Sequence, residues 1–319
     1  MVEDRQDQAE MSNPVDACPL CRCQHYEPFE VHKDAGYTLT YQICSNCGLV
    51  FQSPCMDEGA LAAFYASGYR RFVQGTEEPT EKDLRIQAGR ARHQLQLARR
   101  IIPSVSHHLD VGSSSGALLR VFRSHYDCES VGIEPGKAYR TQGYTNGMKV
   151  YAQLADMDLE KQGSFDLVTL SHVLEHLSDP RTYLVQIRER WMTPDGYLLV
   201  EVPNLFGHHS VELSHLVLFS SNTLRQLLSL SGFNVLRSYT HGNPRSPILN
   251  LYITTLARVG ADDRSVSVTK NISRGVRTRR AIGMWRKKCL SRWFPRWTWK
   301  PLPELEENTY DDIGPISNK

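Results

Sequence analysis

The stretch Leu109-Asp110-Val111-Gly112-Ser113-Ser114-Ser115-Gly116 leaves a chain few ways to fold. An apolar run ends in an acid, small residues follow, and Ala117, Leu118, Leu119 and Val121 recur at helical spacing. The order is therefore strand, tight turn, helix. Gly112 and Gly116 have no Cβ, so the backbone can turn sharply and come close to a ligand. Free amides at the start of the helix can meet an anionic group. A second apolar strand, Ser130-Val131-Gly132-Ile133, ends in Glu134, 24 residues after Asp110. In a doubly wound sheet an acid at that distance closes the neighbouring strand, within reach of ribose hydroxyls. The two strand ends together predict a nucleoside site. A nicotinamide site would want Gly-x-Gly-x-x-Gly, whereas the sequence offers Gly112-Ser-Ser-Ser-Gly116.

That spacing resembles the first motif of class I S-adenosylmethionine-dependent methyltransferases, Asp-x-Gly-x-Gly-x-Gly, with Ser114 in place of the middle glycine. Residues 165–177 (FDLVTLSHVLEHL) are similar to the family's fourth strand and the helix after it, and Pro194-Asp195-Gly196 to the turn into its fifth. Order and spacing agree across residues 81–258. The resemblance implies an α/β fold, a doubly wound, Rossmann-like sheet of seven strands. It also implies S-adenosylmethionine held by Asp110, Gly112, Ser114, Gly116 and Glu134, with Gln153 and Leu154 flanking adenine and Ser171 near the methionine part.

Five of the eight cysteines fall between residues 18 and 47. Cys18-Pro-Leu-Cys21 and Cys44-Ser-Asn-Cys47 are two CxxC knuckles, an arrangement that presents four thiolates tetrahedrally to zinc. Cys23 competes with Cys21 as a ligand, and the ligand type also admits iron. Tyr37–Ile43 alternates like a hairpin strand and Leu49-Val50-Phe51 reads as another, which together make a zinc ribbon. With four thiolates and no open position the metal is structural, and a ribbon this small depends on it to fold. A ribbon before such a domain resembles a subgroup acting on sugars and other small polar metabolites, sugar C-methyltransferases among them, and is expected to help wall the substrate cleft. The expected organisation is a disordered N-terminus (1–15), the ribbon (16–57), a connector helix with Leu61, Phe64, Tyr65 and Tyr69 (58–80), the methyltransferase domain (81–260), and a basic aromatic extension with an acidic tail (261–319).

The methyl group of a sulfonium is already activated, so such an enzyme aligns an acceptor and removes its proton. The loop after the fifth strand carries His208, His209, Glu212 and His215. It resembles the loop of sugar C-methyltransferases in which a tyrosine and, three residues later, a histidine face the substrate. Glu212 stands at the tyrosine's place and His215 at the histidine's. A near-neutral base suits a hydroxyl or an acidic carbon, which favours His215, with Glu212 and His176 as the other catalytic candidates. His172, Glu175 and His176, at i, i+3 and i+4, would share one helical face. They resemble an ExxEH magnesium set of some quinone O-methyltransferases, with His172 replacing the first acid, although magnesium prefers oxygen. The other reading is a helix start whose Glu and His bond nearby backbone. Two further functions stay open: a quinone-type or other small-molecule O-methyltransferase, and a non-enzymatic zinc-ribbon module on a retired fold that no longer binds the cofactor.

Pro247–Leu256 reads as the last strand. Beyond it, residues 264–300 hold twelve Lys and Arg and no acid, against an acidic remainder of the chain. Ile282, Trp285, Cys289 and Trp293 fall on one arc of a helix that Pro295 would end. The stripe has three possible uses: an anionic membrane surface touched through residues 277–299, nucleic acid, or the protein's own acidic domain. The expected partner is a small-molecule substrate, not nucleic acid. The polar start of the chain and the lack of a stretch of ~20 apolar residues point to the cytosol.

Overall fold

The computed structural model describes residues 13–34, 36–56, 59–61, 71, 74–158, 164–260 and 273–305. Phe64, Tyr65 and Tyr69 of the expected connector lie outside these residues. Residues 13–15, expected to be disordered with the rest of the N-terminus, are instead tied down. Asn13 bridges Cys55, and the Val15 amide donates to Ser53 Oγ at 3.1 Å.

The main sheet contains β4 (His107–Val111), β5 (Glu129–Ile133), β6 (Lys149–Tyr151), β7 (Phe165–Ser171), β8 (Met192–Pro203), β10 (Phe233–His241) and β11 (Tyr252–Val259). Their order is β10-β11-β8-β7-β4-β5-β6. Neighbouring strands are parallel except around β11, which is antiparallel to both β8 and β10. The order reverses between β4 and β7, and at such a point a crevice opens beyond the carboxyl ends of the strands. The last strand starts at Tyr252, five residues later than its apolar pattern suggested. Leu249 and Leu251 are apolar because they pack on Leu290 and Trp299, not because they pair in the sheet.

Helices cover both faces. α1 (Glu81–Ala98), capped by Thr80, and α2 (Ala117–Tyr126) bury Leu95, Val121 and Phe122 against Leu167, Leu199 and Leu256. α3 (Lys137–Thr145) follows β5. On the other face α4 (Pro180–Trp191) and α5 (Ser221–Leu230) place Leu184, Ile187, Leu224 and Leu227 over Val168, Leu198 and Val200. After β11 come α6 (Ser273–Trp293) and the short α7, which begins at Pro295.

The N-terminal segment forms a second, four-stranded sheet. β2 (Tyr37–Cys44) and β3 (Val50–Gln52) match the expected strands, while β1 (Tyr26–Asp34), broken in pattern by Pro28 and several charges, was not legible. The fourth strand, β9 (Val217–Leu218), comes from the loop after β8 and pairs with Phe51 and Val50. Leu39, Tyr41, Ile43 and Val50 share one apolar cluster with Leu205, Val211, Leu213 and Leu218. Packing therefore runs straight across the boundary expected at residue 57.

Candidate active site

A cleft of about 850 Å³ opens at the carboxyl ends of β4, β5, β7 and β8. Asp110, Gly112, Ser114, Glu134, Gln153, Leu154 and Ser171 line it, together with His172, His176, His208, Glu212, His215 and Tyr252. Gly116 does not line it. That residue is the left-handed N-cap of α2, at φ +78°.

The turn after β4 goes left-handed at alternate residues, with φ +76° at Gly112, +51° at Ser114 and +78° at Gly116. Two of these positions carry glycine, for which that backbone is unstrained. At the third, Ser114 bears a Cβ at some cost. Its amide is held in place by Glu134, whose Oε2 accepts from Ser114 N at 2.9 Å while Oε1 accepts from Gly136 N at 2.8 Å. Glu134 thus fixes the turn that the motif needs.

Asp110 is fully buried. Its Oδ1 accepts the Thr169 hydroxyl at 2.6 Å, so Thr169 must in turn accept from His108 Nε2, 2.9 Å away. Burial, and then the charge of Glu134, push the Asp110 pKa up to about 7, with the Thr169 bond opposing. Two buried acids facing one cleft call for a ligand with hydroxyl donors and positive charge, which S-adenosylmethionine is. Ala152 and Leu154 add an apolar wall beside them.

Beside the imidazoles of the lining stand three carboxylates, of which Glu212 lines the cleft while Glu175 and Glu201 are buried. His215 Nδ1 lies 3.0 Å from the Ser210 carbonyl and its Nε2 2.9 Å from Glu212 Oε1. Burial pulls the His215 pKa down, but the bond and charge of Glu212 more than offset this, and the net shift is upward. His176 Nδ1 lies 2.7 Å from the Ser214 carbonyl, and burial lowers its pKa to about 4, so the ring is neutral near pH 7. Glu175 is 1% exposed. His172 Nδ1 stands 3.1 Å from its Oε1 but outside hydrogen-bond geometry, and neither carboxylate oxygen has a hydrogen-bond partner among the described residues. Burial disfavours its charge, yet the surrounding imidazoles of His172, His176 and His215 hold its pKa at about 2.

His172, Glu175 and His176 do come together, but not on a helix. His172 sits at φ +58° just past β7, its amide donating to the Glu201 carbonyl at 2.8 Å, and only Leu174–His176 make a 3-10 turn. Glu175 and His176 instead converge with His215, one ligand atom from each lying within 4.8 Å of the others.

Several residues here escaped the sequence reading. Glu201 is completely buried at the end of β8, 3.1 Å from Arg90 of α1, and accepts the Thr254 hydroxyl at 2.7 Å. Burial opposes its charge, but His172, His241 and Arg90 keep its pKa well below the carboxylate range. An acid closing an apolar strand was a usable signal for Glu201. Nothing marks Arg90 or Tyr252, which only the topology brings to the cleft.

The ribbon backs the cleft without lining it: among the described residues, none before Leu61 reaches the cavity. It holds the loop that does. Tyr41 Oη donates to the carbonyls of Glu212 (2.9 Å) and His215 (2.6 Å), Asp34 accepts from Leu213 N, and Gln52 N donates to the Leu216 carbonyl. Leu216 N then donates to the Glu175 carbonyl at 2.7 Å. The Sγ atoms of Cys18, Cys21, Cys44 and Cys47 lie within 4.8 Å of one another, with two pairs at 3.5 Å. Zinc bonds of ~2.3 Å in a tetrahedron would set sulfurs about 3.8 Å apart, so this donor set fits zinc. Cys23 is not one of the four, and its thiol turns to the His25 backbone.

Residues 84–238 match a family described as a methyltransferase domain. Those residues form a methyltransferase domain, on a sheet with the Rossmann-like order of the class I fold. Among solved structures, the 1,6-didemethyltoxoflavin-N1-methyltransferase of Burkholderia thailandensis shares the fold. It is 18% identical with a TM-score of 0.52, over 73% of this chain and 100% of that one. A methyltransferase of Archaeoglobus fulgidus is 18% identical over 56% of this chain and 100% of its own, with a TM-score of 0.43. No curated protein matches the sequence. Among the described residues, no helix is long and apolar enough to cross a membrane.

Proposed function

We propose that the methyltransferase domain methylates a small polar metabolite, a sugar or sugar nucleotide, and that His215 receives the proton the acceptor gives up. The observation that supports this reading is one cleft lined both by the acids Asp110 and Glu134 and by the Glu212–His215 pair. S-adenosylmethionine, when bound, supplies an activated methyl group on its sulfonium. Glu134 meets the ribose hydroxyls and Asp110 faces the positive end of the ligand. The turn Gly112–Ser114 lets the backbone come close, Gln153 and Leu154 frame adenine, and Ser171, whose Oγ accepts from Gln94 at 2.8 Å, bounds the methionine part. The Ser210 carbonyl keeps a hydrogen on Nδ1 of His215, and the proton the acceptor gives up is held between Nε2 and Glu212 Oε1, which stand 2.9 Å apart. Glu212 stabilises the imidazolium that results.

In this reading zinc, held by Cys18, Cys21, Cys44 and Cys47, is structural, and the ribbon keeps the His215 loop in place. One observation favours a second reading. The ligand atoms of Glu175, His176 and His215 lie close enough for a divalent cation, so a metal-assisted O-methyl transfer would show as a second metal per chain.

Replacing Glu134 by alanine removes a charge-assisted contact to ribose and loosens the Ser114 turn. Calorimetry should find S-adenosylmethionine binding weakened by roughly 1.5–3 kcal/mol, and unchanged affinity would take Glu134 out of the site. The acceptor class is tested by incubating the enzyme and labelled cofactor with sugars, sugar nucleotides and quinols. Label passing to a sugar supports the reading, and label passing only to a quinol replaces it.

A further inference from the structure

The stripe Ile282, Trp285, Cys289, Trp293 does lie along one side of α6, but the helix packs on the domain by its opposite side. Val276 and Arg280 are buried there, and Arg280 Nη1 donates to the Leu205 carbonyl at 2.7 Å while Nε meets Glu30 at 3.1 Å. At Gly283 a Cβ would overlap the Phe206 carbonyl oxygen, so backbone meets backbone and the rotation of the helix is set. The far end is pinned as well. Leu290 and Trp299 pack on Leu249 and Leu251, Thr298 is fully buried, and Lys300 N donates to the Arg245 carbonyl at 2.9 Å. α6 therefore cannot turn to hide its apolar stripe.

What it leaves in water is large. Ile282 is 58% exposed, Trp285 66%, Trp293 70%, Phe294 57% and Trp297 76%. Single exposed apolar residues are ordinary, but a contiguous aromatic run on a fixed helix marks an interaction surface. Exposed Arg274, Arg279, Arg286, Lys288, Arg292 and Arg296 border it, with no acid between residues 264 and 300.

We propose that the outer face of α6 and α7 docks on an anionic lipid bilayer. Indole rings settle at headgroup depth, with an apolar body and a polar N–H. Lys and Arg stems lie along the apolar zone while their charges reach lipid phosphates. Each basic residue near such a surface adds attraction, and six exposed ones border this stripe. The same face of a second copy would oppose like charge to like. Single-stranded nucleic acid is bound in grooves, whereas these side chains stand on an outward ridge. The proposal does not depend on the identity of the methyl acceptor.

The test is co-flotation of the full chain with vesicles of phosphatidylcholine alone or mixed with phosphatidylserine. Binding to the mixed vesicles, weakened by salt and accompanied by a blue shift of tryptophan emission, is the expected result. The variant W285S/W293S/W297S should lose at least ~10-fold in membrane partition while binding S-adenosylmethionine as the parent does. Failure of the parent to float with either vesicle would overturn the proposal. So would a triple variant that partitions equally, or tighter binding to oligo-dT than to the mixed vesicles.

Discussion

His215→Ala enzyme is expected to bind S-adenosylmethionine normally and to lose ~100-fold or more in kcat. A base that acts only on the departing proton contributes to the transition state far more than to either ground-state complex. Its ring is set for the task, with Nδ1 facing the Ser210 carbonyl and Nε2 facing Glu212. Because Glu212 raises the imidazole's pKa above its ordinary 6.5, more than cancelling the effect of burial, the protonated and inactive form persists to higher pH. Activity should therefore fall as pH drops through a value above 6.5. Glu212→Gln, which keeps the shape and removes the charge, should move that limb to lower pH with a smaller loss of rate. Normal turnover and an unmoved acid limb in His215→Ala would reduce His215 to a wall residue and pass the role to His176.

The second large effect concerns the metal. Protein prepared without chelator should contain one zinc per chain, and Cys44→Ser should contain none. Structural zinc sites in small zinc-finger peptides contribute about 10–16 kcal/mol near neutral pH. The ribbon has little core of its own, so metal loss should unfold it. Tyr41 and β3 would then release the Glu212–His215 loop, and turnover should vanish while cofactor binding, through the ends of β4, β5 and β7, survives. Cofactor affinity lost together with zinc would instead make the ribbon part of the whole domain's stability. A second equivalent of metal that disappears in His215→Ala would favour the metal-assisted reading.

Much of the parallel sheet was legible because each strand is an apolar run that ends where the chemistry begins, as at Asp110, Glu134 and Ser171. Legibility failed where burial and pairing part company. Leu249 and Leu251 are buried by a helix about 40 residues further on, and His172 follows its strand into a left-handed residue instead of entering a helix. At the site, the acids at the strand ends and the histidines of one loop could be named in advance. Arg90, Glu201 and Tyr252 are neighbours only because α1 and the antiparallel β11 both end at the cleft. For α6 the apolar arc was readable, but which side faced the protein was decided by Gly283 and Arg280, neither of which belongs to that arc.

The pairing of β3 with β9 reverses the order in which the chain can be completed as it is made. The cysteine knuckles leave the ribosome long before β9, so their sheet lacks its last strand until Val217 and Leu218 emerge, about 165 residues after β3. Until then Phe51 and Val50 present an unpaired edge and an apolar face to the cell. A segment made well before β9 is thus finished only with it, and the nascent chain stays exposed to misassembly over that interval.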